Sequence, residues 1–156
     1  MKFRKLQRTV LSLLRRSPYH RKVWDNLYRS GELDRYRSLE QFARYSVIEG
    51  YCRSLKTTAT VLDVGCGAAI LAERFCPNLL AEYTGTDISA AAIHQAQERY
   101  PKGKFVIGDI RSADFGTSRF DFIIFNESLY SVPNYEKVLH TLRCWLMPDG
   151  HFIVAL

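Results

Sequence analysis

The run Val61-Leu62-Asp63-Val64-Gly65-Cys66-Gly67-Ala68-Ala69 decides the fold. Thr60 to Val64 is short, apolar and β-branched, the composition of a strand buried on both faces. Gly65-Cys66-Gly67 interrupts it at once, and Ala68 to Phe75 reads as a helix ended by Pro77. A buried strand entering a glycine turn and then a helix is the opening unit of an open α/β sheet, where ligands bind beyond the carboxyl ends of the strands. Gly65 permits backbone angles that other residues resist, and Gly67 lets the main chain approach a ligand closely.

The alternation continues on both sides of this turn. Upstream, Ser38 suits an N-cap, and Leu39, Phe42, Ala43, Val47, Tyr51 and Leu55 recur at helical steps. His20 to Arg29 is a shorter helical segment closed near Gly31, and Pro18 separates it from what precedes. Downstream, Ala81 to Thr86 is a second strand, Ser89 to Tyr100 an Ala-rich helix stopped by Pro101, and Lys104 to Ile107 a third strand. Arg119 to Phe125 is a fourth, almost continuously apolar. Pro133 to Leu146 is a helix with Val138, Leu142, Trp145 and Leu146 on one face. Pro148-Asp149-Gly150 is a turn, and His151 to Leu156 a fifth strand. Strands alternating with helices predict an α/β fold, an open and mostly parallel five-stranded sheet with helices on both faces.

The 156 residues make one domain, and 47% apolar with 24% charged residues is ordinary globular composition. No apolar run is long enough to span a bilayer. The net charge of +6 conceals an asymmetry. Residues 1–22 hold eight basic side chains and no acid, leaving 14 basic against 16 acidic elsewhere, a net of −2. Basicity therefore belongs to an N-terminal arm, and the body is not a nucleic-acid binder by charge. Val10, Leu11, Leu13 and Leu14 make that arm a candidate basic amphipathic helix, able to lie on an anionic membrane surface, to touch RNA, or to pack on the domain. It is too short for a signal peptide. The cysteines at 52, 66, 76 and 144 form no C-x-x-C pair, which favours a reducing, cytoplasmic setting.

A dinucleotide-binding turn needs a small residue where this chain has Ile70, which counts against a nicotinamide oxidoreductase. The spacing Gly65, Gly67, Ala69 instead resembles the G-x-G-x-G turn of class I S-adenosylmethionine-dependent methyltransferases, with Ala69 in place of the third glycine. Further residues match that family in order. Asp63 resembles the acid that faces the cofactor's cationic amino-acid end. Asp87, in Gly85-Thr86-Asp87-Ile88-Ser89, resembles the acid that accepts both ribose hydroxyls. Asp109 and Ile110, after the third strand, resemble the pair that meets adenine, through the carboxylate and a backbone N–H. Phe120 to Glu127 and Leu146 to Phe152 resemble the fourth strand and the turn into the fifth. Trp24 to Tyr28 resembles an aromatic lid, gaining from cation–π attraction to a sulfonium.

The resemblance implies a Rossmann-like sheet in the order 3-2-1-4-5. A basic arm and helical cap would cover residues 1–37, with the methyltransferase domain over residues 38–156. It also implies S-adenosylmethionine as cofactor, held by Tyr28, Asp63, Gly65, Cys66, Gly67, Asp87, Ile88, Asp109, Ile110 and Asn126. The segment Asn126-Glu127-Ser128-Leu129-Tyr130 would face the substrate, with Glu127 and Tyr130 as candidates for contact or proton removal. It lacks both the Asn/Asp-Pro-Pro-aromatic motif and the Pro-Cys nucleophile of base methyltransferases, so nucleic-acid methylation by those routes is unsupported. The scattered histidines give no metal-ligand spacing, and no metal is expected. The expected activity is methyl transfer to an oxygen or nitrogen of a small molecule. The alternative is a catalytically degenerate binding module, its pocket narrowed by Ala69, docking through its basic arm. Members of the family carry two strands beyond the five counted here. An open fifth strand with Phe152 to Leu156 unprotected predicts either a homodimer through that edge or a product truncated from a longer enzyme.

Overall fold

The computed structural model describes residues 21–75 and 79–156. The proposed helix around Val10 to Leu14 and the stop at Pro77 lie outside the described residues. Five strands, β1 (Ala59–Val64), β2 (Leu80–Asp87), β3 (Lys104–Ile107), β4 (Phe120–Asn126) and β5 (Leu146–Ala155), form one sheet in the order β3-β2-β1-β4-β5. Every pairing is parallel. Helices α1 (Arg21–Arg29), α2 (Leu39–Leu55), α3 (Ile70–Arg74), α4 (Ala90–Arg99) and α5 (Tyr135–Leu142) accompany it.

The two-residue period of the strands splits the core into two layers. Val61, Phe122 and Ile124 face Tyr45, Ile48 and Cys52 of α2, with Leu71 and Ala96 nearby. Leu62, Val64, Ile123 and Phe125 face the other way, against Val138 and Leu142 of α5 and Trp145. Phe122 and Phe125 have no exposed surface, so truncating either to Ala removes about 3–5 kcal/mol. Edge strand β3 departs from the buried pattern, since Val106 and Ile107 are exposed.

Three elements differ from expectation. In α2 the apolar repeat lies outside: Leu39, Phe42, Val47, Tyr51 and Leu55 are exposed, while Tyr45, Ile48 and Cys52 carry the packing. Ser38 precedes this helix without a side-chain cap bond. The helix expected from Pro133 starts later, because Asn134 adopts a left-handed conformation (φ 53°), and it tightens into a 3-10 turn over Arg143–Trp145. The expected turn at Pro148-Asp149-Gly150 sits inside β5 as an irregularity. Phe120 pairs with Leu146, and Phe122 already with His151. Gly150 is required there, since a Cβ would come within 2.8 Å of the Phe120 carbonyl oxygen. No helix among the described residues is long and apolar enough to cross a membrane.

Candidate active site

The carboxyl ends of β1, β2 and β4 meet at one edge of the sheet, because Asp63 pairs with Gly85 and Ile124, and Val64 with Thr86. The glycine turn leaves β1 there. The N–H groups of Gly65 and Cys66 donate to the Thr86 carbonyl oxygen at 2.7 and 3.0 Å. Gly65 and Gly67 both take left-handed angles, φ 75° and 54°. A Cβ at Gly67 would overlap the Tyr28 hydroxyl, and one at Gly65 would overlap Ser128. The turn is thus glycine-bound for conformation and for space alike. Ala69 shares the left-handed region at φ 58°, but it is fully buried in the core layer beneath α2 and is not among the residues that line the cleft over this edge. It does not narrow the pocket.

A single cleft runs over this edge, and most of the expected site residues line it: Tyr28, Asp63, Gly65, Cys66, Gly67, Asp87, Ile88, Ile110, Asn126, Glu127 and Tyr130. Asp109 is the exception. It caps the turn Ile110–Ser112, and Arg111 engages both its oxygens: the backbone N–H and Nε donate to Oδ1 at 2.8 and 3.1 Å, and Nε and Nη2 to Oδ2 at 2.9 and 2.6 Å. Its neighbours Gly108 and Ile110 reach the cleft, but its own carboxylate is turned to that guanidinium.

Asp87 is fixed by backbone donors. Gly67 N–H reaches Oδ2 at 3.0 Å and Ser89 N–H reaches Oδ1 at 2.8 Å. Each oxygen keeps acceptor capacity for a further donor. Burial raises its pKa to about 6 in spite of these bonds. Asp63, 2% exposed, accepts the Tyr83 hydroxyl at 2.6 Å on Oδ2, while Oδ1 has no partner. Burial first, with repulsion from Asp87, raises its pKa to about 7 against the Tyr83 bond. Asn126 Oδ1 is likewise buried and unpartnered.

Several residues of the cleft were not singled out by their sequence. Arg44 on α2 pairs through Nη1 with Glu127 Oε1 at 2.8 Å, and its guanidinium lies 5.8 and 5.5 Å from the ring centres of Tyr36 and Tyr45. Glu127 is itself held at φ 56°, a conformation that costs a non-glycine residue on the order of 1 kcal/mol or more. Tyr130 is partly exposed, and burial with the charge of Glu127 raises its pKa. Asp25 on α1 accepts the Ser89 hydroxyl at 2.7 Å and Ala91 N–H at 3.1 Å, and Gln95 Nε2 donates to the Tyr28 carbonyl at 3.1 Å. These contacts seat α1 across the cleft. The signal for Arg44 was a cation four residues before Ile48 and eight before Cys52, on the stripe that packs. It is visible only once the buried side of α2 is known.

An open parallel sheet with a glycine turn and buried acids at the ends of β1 and β2 defines a class, the α/β proteins that hold a ligand where the strand order reverses. Within that class the chain belongs to the methyltransferase-domain family, whose model matches residues 62–154. It is 34% identical to a trans-aconitate 2-methyltransferase of Variovorax paradoxus over 83% of this chain and 48% of that protein. It is 32% identical to a fatty-acid O-methyltransferase of Mycolicibacterium smegmatis, over 81% of this chain and 45% of that protein. The chain thus spans about half the length of these curated relatives. Among solved structures, the N-methyltransferase NodS of Bradyrhizobium japonicum with S-adenosyl-L-homocysteine superposes with a TM-score of 0.70 at 22% identity. The match covers 83% of this chain and 72% of that one.

Proposed function

We propose that the protein is an S-adenosylmethionine-dependent methyltransferase acting on an oxygen or nitrogen of a small molecule. The observation that carries this reading is the placement of Asp63 and Asp87 beside one glycine turn in one cleft. The groups present fit the cofactor. Asp87 offers two oxygens, each with spare acceptor capacity, to a vicinal diol. Asp63 Oδ1, buried and unpartnered, offers a charge and an acceptor to an ammonium. Gly65 and Gly67 line the cleft with main chain, held in left-handed angles beside Ser128 and Tyr28. Ile110 N–H and the segment around Asp109 form the end suited to a base, and Tyr28 covers the turn.

When bound, S-adenosylmethionine supplies a methyl group activated by its sulfonium, so the protein's work is position and exclusion of water. Tyr28 and the α1 segment cover one side, and Glu127 and Tyr130 face the acceptor side. Curated relatives named for small acids, and a neighbour bound to S-adenosyl-L-homocysteine, support this reading. The proposal retains the division into a cap over residues 1–37 and a domain over 38–156. It also retains a cytoplasmic setting, which suits the free thiols of Cys52, Cys66 and Cys144.

Calorimetric titration with S-adenosylhomocysteine tests the reading. Binding is expected, and Asp87→Ala should weaken it by about 2 kcal/mol or more, since both diol bonds are lost. Folded protein that takes up no ligand at high micromolar concentration would overturn it.

A further inference from the structure

Helix α2 turns an apolar stripe to solvent. Val47, Tyr51 and Leu55 recur every four residues and are 57%, 62% and 46% exposed. The full line Leu39-Ala43-Val47-Tyr51-Leu55 carries no charge, whereas a surface helix ordinarily presents its polar face outward. The stripe has a definite place above the sheet. Arg44 pairs with Glu127, whose N–H donates to the Ala155 carbonyl, and Lys56 pairs with Asp121 and Asp149. α2 therefore runs antiparallel to β5, with Arg44 level with Ala155 and Lys56 level with Asp149. The middle of that span sets Tyr51 level with Phe152. Val47, Tyr51 and Leu55 follow Arg44 by three, seven and eleven residues, so they share the flank that Arg44 turns toward Glu127. Phe42 lies on the opposite flank, where the Arg74 guanidinium stands 5.0 Å from its ring centre. α2 meets the main chain of the sheet mostly over β5.

Beside this flank the outer edge of β5 has no strand partner among the described residues. A strand edge without a strand and a helix flank without a helix thus stand together at one level. A lipid surface would cover the flank but leave the N–H and C=O groups of the edge unpaired. A second copy of the chain answers both. Turned about a two-fold axis normal to the sheet near Phe152, it lays its β5 antiparallel to this one and its α2 antiparallel to α2. With each helix seated between β4 and β5, the two axes stand two strand spacings apart, roughly 10 Å, which is a usual helix-packing distance. Residues equally spaced from Tyr51 then face each other, so Val47 meets the partner's Leu55 and Tyr51 meets the partner's Tyr51. The stripe is self-complementary, as an interface between identical copies requires. We propose that the Val47, Tyr51 and Leu55 flank of α2 is an interaction surface for the same flank of a second copy, roofing a sheet continued across the two β5 edges. None of the three residues lines the cleft, and the surface is independent of the methyltransferase reading.

Sedimentation velocity over a range of concentrations reads the association of the full chain, and a melting curve checks the fold of each variant. Tyr51→Glu sets two carboxylates face to face and should raise the midpoint concentration about tenfold or more. Ser46→Glu puts the same charge on an exposed position off that flank and should leave the midpoint unchanged. Cross-linking gives a second readout that needs no loss of association. In a Cys76→Ser, Cys144→Ser background the remaining thiols, Cys52 and Cys66, are buried. There Tyr51→Cys should join to its own copy through a short bismaleimide, and Ser46→Cys should not. Dimers that withstand Tyr51→Glu, or that give no Tyr51→Cys cross-link, overturn the proposal, as does an equal effect of Ser46→Glu. A chain that stays monomeric at every concentration overturns it too. Slow maleimide labelling of Tyr51→Cys in that monomer would give the stripe to residues 1–20 of the same chain.

Discussion

Asp63 shows how one buried acid can link stability to ligand binding. Its pKa stands at about 7 against an ordinary 3.8, and that of Asp87 at about 6. Acids raised in the folded state hold their protons more tightly folded than unfolded. The stability they contribute is therefore complete below an ordinary pKa of 3.8 and is lost as pH rises through about 6 and then about 7. The protein without ligand should melt at a lower temperature at pH 8 than at pH 5, the two acids together weakening it by on the order of a few kcal/mol. Ligand affinity should run the other way. An ammonium beside Oδ1 favours the ionised acid, so affinity for S-adenosylhomocysteine should rise through pH 7 in calorimetry. Asp63→Asn should flatten that rise. Tyr83→Phe removes a bond that favours the carboxylate, and should move the rise to higher pH while keeping the ring contacts to Tyr100 and Phe105. The positions of Asp63 and Asp87 in the cleft were legible in the sequence because they are set locally, beside a glycine turn and at a strand end. Tyr83 was not, since it meets Asp63 only through the parallel register of β1 with β2. Asp109 was legible as an acid after a strand, but the geometry of Arg111 two residues on was not.

At the level of elements, the sequence marked all five strands and the helices between them, because alternation and glycine or proline stops are short-range signals. It failed where packing chose among local options. The apolar repeat of α2 gave the helix but pointed to the side that faces outward, since Tyr45, Ile48 and Cys52 fit the sheet. Helix α1 has no fully buried residue, and its partly buried face is supplemented by a polar attachment. Asp25 supplies it by taking Ser89 Oγ and Ala91 N–H at the start of α4. Loss of such a bridging cap costs about 1–2 kcal/mol. Asp25→Ala should therefore loosen α1 without unfolding the sheet. Hydrogen exchange should quicken over residues 21–29 and stay slow in β1 and β4. Affinity for S-adenosylhomocysteine should fall with it, because Tyr28, which covers Gly67, is carried on α1. Equal acceleration of exchange across β1 and β4 would count against a separable lid.

At the scale of the molecule, the sheet has two edges of different character. β3 is four residues long and begins with Lys104, whose Nζ pairs with Glu82 at 2.9 Å. A short, charged edge resists pairing with other chains. β5 has ten residues and only β4 as strand partner among the described residues. Its end, Phe152-Ile153-Val154-Ala155-Leu156, carries no charge, and Val154 and Leu156 are 42% and 74% exposed. That stretch has none of the lysine, proline or bulge that blunts an exposed strand, and among the described residues no further strand pairs with it. A second copy meeting it about a two-fold axis would pair β5 antiparallel with itself, each copy contributing the same residues. Sedimentation velocity over a range of concentrations should show reversible self-association of this chain. Val154→Lys places a charge on the exposed edge and should shift the midpoint to higher concentration by about tenfold or more. Thermal stability and S-adenosylhomocysteine binding should be kept, because Val154 lies outside the cleft. A chain that stays monomeric at every concentration, with Val154→Lys indistinguishable from wild type, would show that the β5 edge is not an association surface.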